Sequence, residues 1–399
     1  MGYDAGSLIT SKTTRAKTFD VAVVGAGVFG SWIALHLARR GQRVVVLDAY
    51  GPANSRASSG GESRIIRMGY GADELYTRWA MRSLVQWKEL FGSTSPALFH
   101  ETGVIWVASE GDAPQVDMAA VLERCKVPSE TLDAAALAQR YPQFSPQNLT
   151  GAVLETTSGV LMGRRAVAAV LQNAVTDGVE YRAAQIARPL VDSGASTLSA
   201  VTTAGGEEIS AGQFVFACGA WLGKIFPELL GPRIFPSRQE VFFFGVPAGD
   251  SSFSATALPT WLIPAEETYG MPDLESRGFK IAFDGHGERT DPDIQHRVVS
   301  EQSTERVRSY VARRFPALRN APVVETRVCQ YENTSNGDFL IDRHPEMNNV
   351  WFAGGGSGHG FKHGPMVGEY VAQQILDGGA AEPRFSLASK AMQQKRAVY

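Results

Sequence analysis

Two glycine strings stand where chemistry could be done. The first is Gly25-Ala26-Gly27-Val28-Phe29-Gly30, which follows the nearly continuous apolar run Phe19–Val24. Behind it, Phe29, Ile33 and Leu37 recur at helical spacing. In such a turn Gly25 permits the tight reversal, Gly27 lets backbone approach a pyrophosphate, and Gly30 lets the helix pack closely on the strand. Free N–H groups and the dipole at a helix start favour an anion there. Asp48 lies eighteen residues after Gly30, at the end of a second apolar run, Arg43–Leu47. A carboxylate at that distance accepts hydrogen bonds from ribose hydroxyls. A lone glycine string is a weak signal; strand, helix and acid in this order make it a dinucleotide site.

The second string is Gly354, Gly355, Gly356, Gly358, Gly360 and Gly364. It leads from the strand-like Asn349–Ala353 into a helix predicted over Pro365–Leu376, with proline in the first turn. A nicotinamide dehydrogenase does not normally pair its first βαβ unit with such a loop at the far end of the chain. A flavin needs one, because its reduced ring carries negative charge that a helix N-terminus stabilises. The two strings are therefore expected to be two walls of one FAD site. Between them, Gly278–Asp284 alternates, with Phe279, Ile281 and Phe283 on one face and Lys280, Ala282 and Asp284 on the other. By itself such a lysine is commonly a solvated charge, and Cys329 at a strand end is commonly a small hydrophobe.

The elements that must carry these residues are legible in outline. Residues 113–140 read as helical, with strand-like pieces at Val104–Val107 and Ala152–Glu155 and a helix at Arg165–Val175 that Gly178 stops. Val179–Ala183 follows as a strand, then a meander with turns near Ser193-Gly194 and Gly205-Gly206 that ends in the buried run Phe214–Ala217. Glu240–Val246, Trp261–Pro264 and Gly278–Phe283 predict a broad sheet, and 300–314 a helix that stops at Phe315-Pro316. Val328–Glu332 and Phe339–Ile341 flank Asn336-Gly337, a favoured hairpin turn.

Composition narrows the classes. The 399 residues allow two domains or one composite one. A net charge of −3 with no basic run argues against nucleic acid. No apolar stretch approaches the ~20 residues that would span a bilayer. Lys12, Arg15 and Lys17 lie among Ser and Thr without a secretory apolar run, and Met1-Gly2 lacks the hydroxyl at position 6 that myristoylation requires. A frayed N-terminal arm is expected, and the tail Ala397-Val398-Tyr399 carries no usual peroxisomal signal. Cys125, Cys218 and Cys329 are too few and scattered for a disulfide framework, which fits a reducing cytosol. His359 and His363 are four apart but in a glycine loop, so no metal is expected.

With these residues in view, the sequence resembles the monomeric sarcosine oxidase family, which includes N-methyltryptophan, pipecolate and fructosyl amino acid oxidases. The resemblance runs from Phe19 to about Leu376 and rests on specific motifs. They are Ser63-Arg64-Ile65-Ile66-Arg67 with Tyr70-Gly71, Tyr269-Gly270-Met271-Pro272, and Gly278-Phe279-Lys280. Further on come Cys329-Gln330-Tyr331, Phe339-Leu340-Ile341-Asp342-Arg343-His344-Pro345, and Ser357-Gly358-His359-Gly360-Phe361-Lys362. The resemblance implies an α/β, D-amino acid oxidase-like fold. Its Rossmann-like FAD domain would comprise residues 1–98, 160–234 and 332–399, and a mixed-sheet substrate domain 99–159 and 235–331. It also implies a flavin joined through its 8α carbon to Cys329, Arg64 close to the flavin ring beside Ser63, and Lys280 promoting the reaction with O₂. Arg67 and Lys362 would hold a substrate carboxylate, with Tyr269 in the same pocket, and Gly356, Gly358, His359 and Gly360 would line the flavin.

Departures from the family pattern are informative. Ser59 and Gly60 stand where sarcosine oxidases carry two histidines, and Asp284 stands where they carry a third. A pocket tuned to sarcosine itself is thereby put in doubt; a larger substrate, or one with a second polar or cationic group, is expected. The expectation is a cytoplasmic enzyme, monomeric or weakly oligomeric, that oxidises the C–N bond of a secondary amino acid with O₂ as acceptor. Three alternatives stay open: a dehydrogenase that uses another acceptor, a biosynthetic oxidase desaturating a cyclic imino acid, and a flavin-binding protein without turnover.

Overall fold

A computed structural model describes residues 19–92, 97–110, 116–189, 194–285 and 287–394. The expected N-terminal arm, the start of the 113–140 segment, Ser193 and the tail 397–399 lie outside the described residues.

The apolar run Phe19–Val24 is a central strand, because every face of it has something apolar to bury against. It pairs in parallel with Val44–Asp48 on one side and Glu208–Phe216 on the other. The sheet continues in parallel to Glu180–Ala183 at one edge and to Val350–Gly354 at the other. Leu340–Arg343 then closes that edge antiparallel, and Ala200–Thr202 pairs antiparallel on Glu208–Phe216, for seven strands. The helix Val28–Arg39 packs against Gly163–Thr176 and Gly364–Leu376. Its Trp32 and Ile33 are fully covered in the core this creates. Parallel pairing brings the C-terminal ends of four strands, at Val24, Asp48, Phe216 and Gly354, to one edge. Ligands of open α/β sheets bind at such an edge.

A second sheet has eight strands in the order Val323–Asn333, Phe235–Phe244, Phe279–Phe283, Thr268–Met271, Thr260–Ile263, Val104–Ser109, Leu149–Glu155, Ser129–Asp133. Only the pair Val104–Ser109 with Thr260–Ile263 is parallel. One face is buried through Trp261, Phe279 and Phe315 packed ring on ring, under the helix Glu301–Arg314. The other face looks onto the strand-end edge of the first sheet. Arg64–Ile66, Gly159–Leu161 and Phe99–His100 form a small antiparallel third sheet with Gly159–Leu161 at its centre.

Two local expectations fail. Residues 113–140 are not continuously helical: Val116–Arg124 and Ala134–Arg140 are separated by the edge strand Ser129–Asp133. That strand is mostly exposed, so it carries no apolar alternation to reveal it. Asn336-Gly337 does not turn a hairpin, because Val323–Asn333 and Leu340–Arg343 belong to different sheets. The segment is a side-chain-capped crossover instead. Thr334 Oγ1 donates to Asp338 O at 2.7 Å, Asp338 N–H donates to Asn336 Oδ1 at 3.2 Å, and Gly337 takes φ 78°. Two boundaries expected from sequence, after 159 and after 331, fall inside the strands Gly159–Leu161 and Val323–Asn333.

Candidate flavin site

At the strand-end edge lies a cavity of about 470 Å³, bounded by both large sheets. Its nucleotide end is built from the first glycine string. Gly25 has φ 107°, and a side chain at Gly30 would collide with the Gly25 carbonyl, so the turn and the helix start can meet only as glycines. Gly30 therefore underlies the cavity, whereas Gly25, Gly27 and Asp48 line it. The Asp48 carboxylate accepts from Ala26 N–H at 2.7 Å and from Tyr50 N–H at 2.9 Å. An ionised carboxylate has about four acceptor positions, so it retains capacity for ribose hydroxyls. Ser59, one of the departures noted above, caps the dinucleotide helix: its Oγ accepts from Val28 N–H at 3.1 Å.

Farther along, Cys329 stands half-buried on the strand Val323–Asn333 as a free thiol. Its Sγ lies 3.7 Å from Ser58 O and 3.8 Å from Arg64 Nη2. Arg64 is fixed by donating to Ser63 O at 2.8 Å and Ser58 O at 2.6 Å, with Phe361 under its guanidinium. The buried Lys280 donates to Ser63 O at 3.0 Å and Ser63 Oγ at 3.1 Å. Burial, and then the neighbouring Arg64 charge, push its amine well below the ordinary lysine range. The charge expected at this position is thus disfavoured by its surroundings.

The far end of the cavity is buried and lined by two basic side chains, Arg67 and Lys362. Arg67 is 2% exposed and lies over the faces of Tyr70 and Trp106, at 4.4 and 4.6 Å from their centroids. It donates to Gly69 O. Lys362 Nζ donates to Tyr70 Oη at 2.7 Å and to His359 O at 2.9 Å. Burial first, and Arg67 second, drive its amine well below the usual lysine range. Tyr70 Oη also meets His363 Nε2 at 2.7 Å and His359 Nδ1 at 3.2 Å, so one phenol gathers both loop histidines and the lysine. His363 is held well below the ordinary imidazole range by burial and by Lys362. Gly356, Gly358, His359 and Gly360 line the wall beside it, and a side chain on Gly358 would strike the Tyr331 ring. Opposite, Tyr331 Oη donates to Asp284 Oδ1 at 2.7 Å. Tyr269, beside them, is pushed upward by burial and by the Asp284 carboxylate.

Every site residue expected from sequence except Gly30 therefore lines this single cavity. Three contributors were not expected. Tyr70 and Tyr331 stood in motifs without a role. Glu155, fully buried, accepts from Met68 N–H at 2.6 Å, Gly69 N–H at 2.9 Å and Trp106 Nε1 at 2.7 Å, and also from Ser158 Oγ. It thereby fixes the backbone just after Arg67. An acid closing the apolar strand Leu149–Glu155 was its one sequence signal.

A trough with a βαβ pyrophosphate cradle at one end and a buried chamber lined by Arg67 and Lys362 at the other fits a dinucleotide whose reactive ring is buried. That is the site of a flavin-dependent oxidoreductase. The chain belongs to the DAO family, FAD dependent oxidoreductases, whose family model matches residues 20–374. It is 32% identical over 377 residues to a monomeric sarcosine oxidase of Streptomyces avermitilis, covering 92% of this chain and 96% of that one. It is 28% identical to an N-methyl-L-tryptophan oxidase of Salmonella heidelberg, covering 90% and 95%. Its fold is similar to that of L-proline dehydrogenase from P. horikoshii, with TM-score 0.80, 22% identity and coverage of 93% and 97%. Among the described residues no helix is long and apolar enough to cross a membrane, and no group of side chains could hold a metal.

Proposed function

We propose that the enzyme oxidises the C–N bond of a secondary amino acid, N-methyl, N-alkyl or cyclic, to the imine, with O₂ reduced to H₂O₂. The observation that carries this is the convergence of the buried Arg67 and Lys362 on Tyr70. The buried Arg67 guanidinium repels a simple ammonium but accepts the carboxylate of an amino acid, and a carboxylate bound there favours the protonated form of the Lys362 amine beside it. Bound FAD would supply the two-electron acceptor for the hydride equivalent leaving the carbon beside the amine. The chain's part is then positional. Arg67 and Lys362 grip the carboxylate, Asp284 with Tyr331 faces the amine side, and burial excludes water until the imine is released and hydrolysed. The Asp284 carboxylate also favours a substrate with a second polar or cationic group. The names of the sarcosine and N-methyl-L-tryptophan oxidase relatives support a secondary amine.

The same reading assigns the flavin's covalent partner to Cys329, supported by a half-buried thiol held beside Arg64 in the cavity wall. It assigns residues 1–98, 160–234 and 332–399 to the FAD-binding part and 99–159 and 235–331 to the substrate part, cytoplasmic and at most weakly oligomeric. A second reading, a dehydrogenase passing electrons to another acceptor, is favoured by the downshifted amine of Lys280, which weakens the case for a permanent cation at the oxygen site. A peroxide-coupled screen of N-methyl, cyclic and N-alkyl amino acids on the purified protein tests both. Peroxide equal to substrate consumed supports the oxidase. Turnover with a dye but little peroxide in air supports the dehydrogenase, and preference for carboxyl-free amines refutes the amino-acid reading.

A further inference from the structure

One buried acid of the cavity has no part in any of this. Glu332 follows Tyr331 on the strand Val323–Asn333 and is 7% exposed. Its Oε1 is buried without a hydrogen-bond partner among the described residues. The carboxyl lies against the start of the second glycine string, where a side chain on Gly354 would run into it and where Gly355 and Gly356 turn their N–H groups toward it. Cys218, two residues past the strand Glu208–Phe216, is near enough for its thiol to be pushed upward in part by Glu332. This places Glu332 at the middle of the strand-end edge, between Asp48 at the nucleotide end and Cys329 at the flavin end of one cavity. Glu332 is among the residues lining that cavity, and a buried carboxyl with an unpartnered oxygen is costly to keep ionised.

We propose that Glu332 is a cofactor-binding residue that acts as a neutral carboxylic acid, donating its proton to an oxygen of the ribityl–pyrophosphate stretch of FAD. The inference rests on the FAD dependence of the family and is independent of any substrate. Burial pushes the Glu332 carboxyl up to about 8, with the two glycine N–H groups pulling only partly the other way. Among the described residues no basic side chain contributes to that shift. The ionisable groups around it are Cys218, whose thiol burial drives well upward, and Asp48, which faces Cys218 from the strand Val44–Asp48. Neither offers a positive charge, so ionised Glu332 would stand uncompensated beside the cofactor's phosphates. A neutral acid donates there; an anion repels. Because FAD binds the protonated form, affinity is constant below the pKa of the free protein and falls as pH rises through it, by up to about tenfold per pH unit.

The test uses the full chain carrying Cys329→Ser, so that flavin exchanges, stripped of FAD and titrated with it from about pH 6 to about pH 9 while flavin fluorescence is followed. The expected result is a plateau at low pH and a weakening of roughly tenfold by the upper end. In the same background Glu332→Gln, which is isosteric, always neutral and still a donor, is expected to match the parent within about threefold at pH 6 and to stay flat. An infrared difference spectrum of FAD binding at neutral pH should show a protonated-carboxyl band that Glu332→Gln removes. A parent protein with pH-independent FAD affinity overturns the proposal, as does Glu332→Gln with the parent's pH dependence. Should the glutamine variant fold poorly, the parent titration and its infrared band decide alone.

Discussion

Replacing Arg67 by alanine is the sharpest probe of the substrate end. The guanidinium is almost wholly buried, packed between two aromatic faces, and within reach of Lys362 through the shared Tyr70. Removing one partner of a desolvated charged contact costs about 2–5 kcal/mol, or roughly 30-fold to several thousand-fold in affinity. One effect works against the full loss. Arg67 is itself a reason that the Lys362 amine is pushed down, so without it Lys362 regains its proton more readily. The loss is therefore expected toward the lower end of that range. The pH dependence should move with it. A carboxylate binds the protonated amine, so affinity falls as pH rises through the lowered pKa of Lys362, and in Arg67→Ala that fall should shift to higher pH. Arg67→Lys, which keeps a charge but loses the planar fork, should fall between. The assay is titration with a simple aliphatic carboxylate, which does not itself titrate in this range, followed in the visible flavin band. Binding as tight as in the parent, or an unmoved pH limb, would refute the carboxylate role and leave Arg67 as a structural residue.

Three further outcomes are expected. The flavin should stay with the polypeptide after acid precipitation, whereas Cys329→Ser or Cys329→Ala should release it; colour wholly in the supernatant of the unmutated protein would sink the thiol linkage. Lys280→Met should slow reoxidation by O₂ by roughly 10²–10³ (~3–4 kcal/mol) while sparing reduction. Because the Lys280 amine is held low, the parent's reoxidation should slow as pH rises, and the variant's should not; stopped-flow traces in which both half-reactions fall equally count against this. Asp284→Asn should lose at least about tenfold, ~1.4 kcal/mol, of its preference for substrates with a second cationic group, read as a ratio of kcat/KM values; an unchanged ratio excludes Asp284 from specificity.

Much of the site was legible because its parts are backbone-driven. Glycines at 25 and 30, and at 354, 355, 358, 360 and 364 in the second string, mark places where a side chain would run into neighbouring atoms. Side chains that act through others left weaker traces. Glu155 meets its donors from residues 68, 69, 106 and 158, partners scattered in sequence and joined only by the fold. Glu332 differs from a surface acid only in what covers it. The edge strand Ser129–Asp133 escaped because exposure removes the alternation that signals a strand, and the Asn336-Gly337 crossover because its turn residues are those of a hairpin. Conversely, Lys280 was legible as a residue but not as a charge, since its protonation depends on burial and on Arg64.

The seven-stranded sheet also sets a schedule. Phe19–Val24 is separated from Val350–Gly354 by a single strand, Glu208–Phe216, and the helix behind the first strand packs on Gly364–Leu376. At ~5–20 residues per second a ribosome needs roughly 15–65 s between making the first of these strands and the last. For that interval an apolar parallel strand waits with an incomplete sheet, in a topology whose non-local pairings are intrinsically slow to form. Both walls of the cofactor trough exist only once the glycine string at 354–364 has been made, so flavin is captured after that point and not on the early chain. The yield of yellow protein should thus respond to growth temperature and chaperone supply during that wait more than to riboflavin added early.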